Sequence, residues 1–416
     1  MILNSPANIS HLPNELLASI FNIFRGSEDQ DSSGTVNDSK HLAERLAAQE
    51  APLRAIMLTC RLWSVLAAPL LWKVRILDSA MPHEILKFAH VVTHGIYFPY
   101  GDYVERLRIN IGPNVTPEIV QCVADRCRGL KYLCLVGTYK DTRPAQIPDT
   151  ISNGNLPWGA IARNCRRIDS LVIMGCLYSL SLSDFVNNLA PLQRLALIGC
   201  PPYPATFYVS LTKCCGSSLR RIYLRAFEPA HTDFMLNLIA MNCPEVKDLF
   251  FCWPPRKRNI QQYAVNSTTL SKLLLSLRGL RHLSLFCFLD VNDKAFKLLG
   301  KHDELRVLDM PLLFQKISLD SLSLFAERLT KLEYLNIMAP SADAEFIRTM
   351  VSKNNILERM RLYAMDPALV TNSDIKDSDL KKYFVPQGLF VNMLWHKHGT
   401  LKDTTWLDDD LYRKAV

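Results

Sequence analysis

The pattern L-x-x-L-x-L occurs ten times between Val104 and Leu362. It reads VERLRI at Val104, LKYLCL at Leu130, IDSLVI at Ile168, LQRLAL at Leu192 and LRRIYL at Leu219. VKDLFF at Val246, LRHLSL at Leu280, LRVLDM at Leu305, LEYLNI at Leu332 and LERMRL at Leu357 complete the series. The fourth positions are Leu107, Leu133, Leu171, Leu195, Ile222, Leu249, Leu283, Leu308, Leu335 and Met360. Seven of their nine spacings fall within the roughly 20–29 residues of a strand-plus-helix repeat. The two longer gaps hold the polar, Pro-bearing stretches 141–155 and 253–263, which read as loop insertions.

Between copies the sequence changes to helical spacing, with recognisable starts. Thr116 precedes Pro117 and Glu118, Thr232–Asp233 precedes FMLNLIAMNC, and Asn292–Asp293 precedes KAFKLLGKH. A single strand–helix unit cannot bury its own apolar face, whereas stacked units bury a continuous core. The expectation is an α/β leucine-rich-repeat solenoid, a horseshoe of about ten strand–helix repeats. It spans residues 73–365, with a C-terminal cap and tail over 366–416.

The cysteines follow the repeat. Cys127, Cys165 and Cys243 each close a helix three residues before the next copy begins, and Cys176 and Cys200 take the ninth repeat position. They read as buried structural thiols, kept reduced. Hydrophobic residues make up 49% and charged residues 21%, an ordinary globular content. No apolar run reaches the roughly 20 residues needed to cross a bilayer, and the N-terminus lacks a secretory pattern. A soluble protein of the cytoplasm and/or nucleus is expected, with no membrane association. The net charge of +8 is spread along the chain, and Arg256–Arg258 is its one compact basic run, so no nucleic-acid partner is expected. There is no Gly-rich phosphate loop, Ser-His-Asp order or paired-carboxylate pattern. The chain therefore reads as non-catalytic, without cofactor or metal. His396 and His398, with the distant Asp408–Asp410, are not taken as a metal site.

The head of the chain has two apolar helical stretches separated by the polar insertion 26–40, all within a module spanning 1–72. In ISHLPNELLASIFNIF, Pro13 suits the first helical position, and Leu16, Leu17, Ile20, Phe21 and Phe24 recur on one face. In the second, Leu53, Ile56, Met57, Cys60 and Trp63 form another stripe, with Pro69 expected to break the helix before LLWKVRIL.

LPNELLASIF together with LTCRLWSVLAAPLLW resembles an F-box, a small all-α module. Followed directly by leucine-rich repeats, it resembles the F-box leucine-rich-repeat proteins, and the divergent, cysteine-containing repeats resemble the fungal type. The resemblance implies a substrate-recognition subunit of an SCF-type cullin–RING ubiquitin ligase, whose F-box binds a Skp-family adaptor and whose repeats hold a protein substrate. It places Leu12, Pro13, Leu16, Leu17 and Ile20 on the first adaptor-facing helix. It places Leu58, Cys60, Arg61 and Trp63 on the second segment, and Leu71 and Trp72 at its end. The alternative from the residues alone is a repeat scaffold whose N-terminal helices only cap the solenoid.

In such a solenoid, strand residues between the inward leucines face the concave side. Arg106, Arg108, Tyr132, Val172, Arg194, Tyr223, Phe250, His282, Phe286, Tyr334, Arg359 and Arg361 are the expected substrate-facing set. They predict an exposed apolar and aromatic patch with arginines at both ends, as a protein-binding surface requires.

Overall fold

The computed structural model describes residues 51–55, 57–58, 61–95, 98–112, 114–137, 156–175, 181–200, 203–225, 232–252, 265–287, 289–311, 317–339, 342–363 and 384–385. Each copy of the pattern forms a short strand, and four further strands lie outside the copies. In chain order the strands are β1 (Val74–Asp78), β2 (Arg106–Asn110), β3 (Tyr132–Val136), β4 (Ser170–Met174), β5 (Arg194–Ile198), β6 (Arg221–Arg225) and β7 (Asp248–Cys252). They continue as β8 (Val265–Asn266), β9 (His282–Phe286), β10 (Leu289–Asp290), β11 (Val307–Met310), β12 (Tyr334–Met338), β13 (Arg359–Tyr363) and β14 (Phe384–Val385). Twelve of them form one sheet in sequence order, and β8 pairs separately with β10. Every pairing is parallel. The α/β leucine-rich-repeat solenoid is thus the fold.

The register carries the repeat. Leu107, Leu133, Leu171, Leu195, Ile222, Leu249, Leu283, Leu308, Leu335 and Met360 stand opposite one another in one unbroken row. All ten are buried, as are the pattern's first positions from Val104 to Leu332. The row passes both long gaps without slipping, because a one-residue slip would turn each strand's leucines away from the core. Helices such as Pro117–Arg126, Thr232–Asn242, Asp293–Leu299 and Leu319–Arg328 supply the other side of this core. Asn292 caps its helix by accepting from the Ala295 N–H at 3.0 Å, and Ser318 and Asp343 cap theirs in the same way. Thr232, expected to precede its helix, is instead its first residue and is buried.

Besides the separate pair β8 and β10, two strands of the main sheet escaped the pattern. β1 adds a strand before the first recognised copy, with Arg75 paired opposite Leu107. An arginine in the leucine row hid this strand. It is tolerated because the guanidinium lies 4.6 Å from the Trp72 ring centroid and donates to the Leu71 carbonyl. β14 extends the far edge beside β13, within the segment expected to be cap and tail.

The thiols occupy a ladder at the helix ends. Cys127 and Cys165 follow their helices directly and are buried, and the Cys165 thiol donates to the Cys127 carbonyl at 3.3 Å. Burial pushes Cys165 and Cys243 up to about 12 and Cys215 up to about 11, so these thiols stay protonated. Cys200 is buried as well, while Cys176 lies outside the described residues. Later repeats fill the equivalent place with His302 and Asn354. The backbone bonds Leu305 N to His302 O (2.9 Å) and Leu357 N to Asn354 O (3.0 Å) repeat the Leu130-to-Cys127 bond.

Candidate functional site

The N-terminal helix is the first candidate surface. It runs Arg61–Trp72 with Pro69 inside it, so the expected break at Pro69 does not occur. Proline there removes one backbone bond, but the turn beyond it is held by burial: Leu71 packs with Leu53 and Ala67, and Trp72 joins the solenoid core. Trp72 lies 4.8 Å from Tyr100 and 6.1 Å from Phe88, ring to ring. The stripe from Leu53 to Trp63 is not one continuous helix either. Residues 51–55 are helical, a turn closes at Leu58 through its N–H to the Ala55 carbonyl, and helix resumes at Arg61.

The module's sites therefore separate by face. Leu71 is buried in the cluster with Leu53 and Ala67, and Trp72 packs on Phe88 and Tyr100 at the start of the repeats, so neither of these two expected adaptor residues is open to solvent like Leu58. Leu58 is 88% exposed and Val65 is exposed, although Val65 was not singled out from the sequence. Trp63 is half-buried against the Leu53–Ala67 cluster. Leu12, Pro13, Leu16, Leu17, Ile20 and Cys60 lie outside the described residues, and for Arg61 only the backbone is described.

The second candidate surface is the sheet face turned away from the helices. The first, third and fifth residues of each strand point there. The first row reads Arg106, Tyr132, Ser170, Arg194, Arg221, Asp248, His282, Val307, Tyr334 and Arg359 in register. The third reads Arg108, Cys134, Val172, Ala196, Tyr223, Phe250, Ser284, Asp309, Asn336 and Arg361. The structure therefore brings the expected substrate-facing residues to one face. Phe286 joins them in the fifth row, opposite Cys252.

Their environment differs from the exposed patch expected. Tyr132, Cys134, Val172, Met174, Ala196, Ile198 and Tyr223 form a buried cluster of their own, with Phe250 and Val136 against it. Tyr223 and Phe250 stack face to face, 4.2 Å between centroids and 4° between planes. The small Cys134, Val172 and Ala196 stand side by side in the third row, and the Tyr223–Phe250 stack follows them on the next two strands.

Charge is organised around this cluster. The Arg106 guanidinium lies 5.0 Å from the Tyr132 ring centroid, and Arg108 Nε donates to Asn110 Oδ1 at 2.8 Å. Asp248 is shared: Arg221 Nε reaches one carboxylate oxygen at 2.8 Å and His282 Nδ1 the other at 2.8 Å. Beyond β9 the third row turns polar and buried. Asp309 accepts from Ser284 Oγ at 3.2 Å and from Asn336 Nδ2 at 2.7 Å. Ser284, Asp309 and Asn336 thus bond to one another across three neighbouring strands. The side chains of Arg359 and Arg361 are not described.

Among the described residues no group of three or more His, Cys, Asp or Glu could hold a metal. No described helix is long and apolar enough to cross a membrane. The face carries aromatic rings, arginines and hydrogen-bonding groups.

No family model and no curated protein sequence matches the chain. Among solved structures it is similar to the complex of Rad7 and Elc1 in yeast, at 16% identity, with 91% of this chain and 94% of that one covered and a TM-score of 0.43. It is also similar to an internalin (inlF) from Listeria monocytogenes, at 11% identity, with 69% and 88% covered and a TM-score of 0.34.

Proposed function

We propose that the chain is a substrate receptor of an SCF-type cullin–RING ubiquitin ligase, in which the N-terminal module binds a Skp-family adaptor and the open face of the sheet binds a protein substrate. One observation carries most weight. The helix bearing Arg61 and Trp63 is fixed to the first repeat through Trp72, while Leu58 and Val65 remain exposed. A module held on one side and open on the other can transmit a fixed geometry between two partners. On this reading the adaptor surface comprises Leu12, Pro13, Leu16, Leu17, Ile20, Leu58, Cys60, Arg61 and Trp63, with Leu71 and Trp72 as its support. The substrate surface is centred on Tyr223 and Phe250, flanked by Arg106, Arg108 and Arg194.

The Trp72 cage also fits a second reading, in which the helices only cover the edge strand β1 of a repeat scaffold. Co-purification with a Skp-family adaptor separates the two. The receptor reading expects Leu12→Ala/Pro13→Ala to abolish adaptor capture while the thermal melt of the repeats stays put. Joint loss of capture and melt would instead make these residues a structural cap.

A further inference from the structure

The residue before each strand belongs to a further row, along the edge where the chain enters the sheet. Backbone bonds hold it in line, among them Lys247 N–H to the Arg220 carbonyl (2.8 Å) and Arg281 N–H to the Lys247 carbonyl (2.7 Å). Towards its two ends this row neutralises itself. Glu105 is held by Lys131 at 2.8 Å and by Lys73 at 3.9 Å, and Arg306 is held by Glu333 at 3.0 Å. The middle is different. Arg220, Lys247 and Arg281 follow one another on neighbouring strands, and among the described residues none has a carboxylate within ion-pair distance. Glu304, which also feels Arg281, is taken by Lys331. Arg220 and Arg281 are exposed and Lys247 is half-buried. Like charges on adjacent strands repel one another, a cost that an anionic partner relieves.

A groove of about 540 Å³ opens onto the same edge, between the ends of helices Thr232–Asn242 and Ser267–Ser276. Ala240 and Leu275 form its apolar wall beside Lys247 and Arg278, and Leu275 is 57% exposed. We propose that this edge docks an extended acidic segment of a partner protein, with carboxylates on Arg220, Lys247, Arg278 and Arg281 and an aliphatic side chain against Leu275. From Arg220 to Arg281 is two strand spacings, about 10 Å, which about three extended residues cover. Guanidinium groups suit carboxylates because each can donate two parallel bonds. The chemistry favours a protein over a nucleic acid. Among the described lining residues there is no aromatic ring on which a base could stack, and Glu245 would oppose a continuous phosphate chain. The surface lies on the edge rather than the open face, and the proposal holds whether or not the head of the chain binds an adaptor.

The test is fluorescence anisotropy of a labelled peptide, EDLEDLED, titrated with the full chain at about 0.05 M salt. Lys247→Glu/Arg281→Glu is expected to weaken binding at least about tenfold. Arg348→Glu/Lys353→Glu, which makes the same change in net charge on the distant helix Ala344–Lys353, should leave it near the parent value. Leu275→Ser should cost about fivefold with EDLEDLED and nothing with EDSEDSED. No binding by the parent, or equal losses from the two charge reversals, would overturn the proposal. So would equal affinity for the leucine and serine peptides, which would reduce the site to general charge attraction. Tighter binding of an oligothymidylate of equal charge would assign the edge to nucleic acid instead. If Lys247→Glu/Arg281→Glu lowers the thermal melt, Lys247→Gln/Arg281→Gln takes its place, with an expected loss of about threefold or more. Parent affinity in that variant overturns the proposal.

Discussion

The two halves of the open face share one backbone and one register but have opposite chemistry. In β3 to β7 the third row reads Cys134, Val172, Ala196, Tyr223 and Phe250, which pack together in one apolar cluster. In β9 to β12 it reads Ser284, Asp309 and Asn336, held by hydrogen bonds across strands. The leucine rows behind them are equivalent, so the repeat fixes where a side chain sits and leaves its chemistry open. A solenoid can therefore vary its binding surface strand by strand without disturbing its core.

The largest test of this contrast is Tyr223→Ala. It removes a buried ring and its stack on Phe250, and is expected to cost about 3–5 kcal/mol in urea unfolding. A loss close to zero would mean that the ring serves binding alone. On the polar half, Asp309→Ala leaves Asn336 Nδ2 and Ser284 Oγ without their acceptor, for an expected loss of about 1–3 kcal/mol. Asp309→Asn should keep at least one of these bonds and lose less. If the alanine variant were as stable as the parent, the polar ladder would be ornament rather than structure.

A smaller effect concerns how the strands of the apolar half end. Gly175 has φ of +77°, and a Cβ there would meet the Gly137 carbonyl oxygen at 2.8 Å. Gly175→Ala should cost about 1–2 kcal/mol from backbone conformation alone, with further loss from the contact. The matching change Gly279→Ala, where a Cβ meets open space, is expected to be close to neutral in the same melt.

The smallest expected effect lies in the polar half and depends on pH. His302 fills the place that Cys127 and Cys243 fill elsewhere, and burial holds its pKa below the usual histidine value despite a backbone bond near Leu274 that acts the other way. The folded protein thus favours neutral imidazole, while the unfolded chain takes up a proton as pH falls through the ordinary range near 6.5. Stability should be unaffected by this group at pH 8 and decline below about pH 6.5. His302→Cys is expected to flatten that decline in urea midpoints measured from pH 8 to 5.5. An unchanged slope would assign acid sensitivity to other groups.

The sequence made the sheet legible because the leucine row is chemically uniform. From Leu107 to Met360, period and burial agree at every strand, and the cysteine positions follow from the same period. β1 was not legible because Arg75 occupies the leucine position and is made acceptable only by Trp72, a neighbour the template does not weigh. The run past Pro69 was missed for a similar reason: tertiary burial of Leu71 and Trp72 outweighs one lost backbone bond. The rows of the open face could be assigned from alternation alone. Their burial could not, since alternation gives the side of the sheet and not what lies in front of it.

The strict sequence order of the sheet also sets how the molecule should assemble. Each strand of the main sheet pairs only with strands adjacent to it in the repeat order, so no strand pairing among the described residues requires the two ends of the sheet to meet. Folding can begin at any neighbouring pair and grow in both directions, each step closing a loop of roughly one repeat. A lesion in the middle would then split the array into two cooperative blocks, whereas one at either end would shorten it. The polar insertion 26–40 precedes the first repeat in sequence, and its deletion is expected to leave the refolding rate of the repeats unchanged.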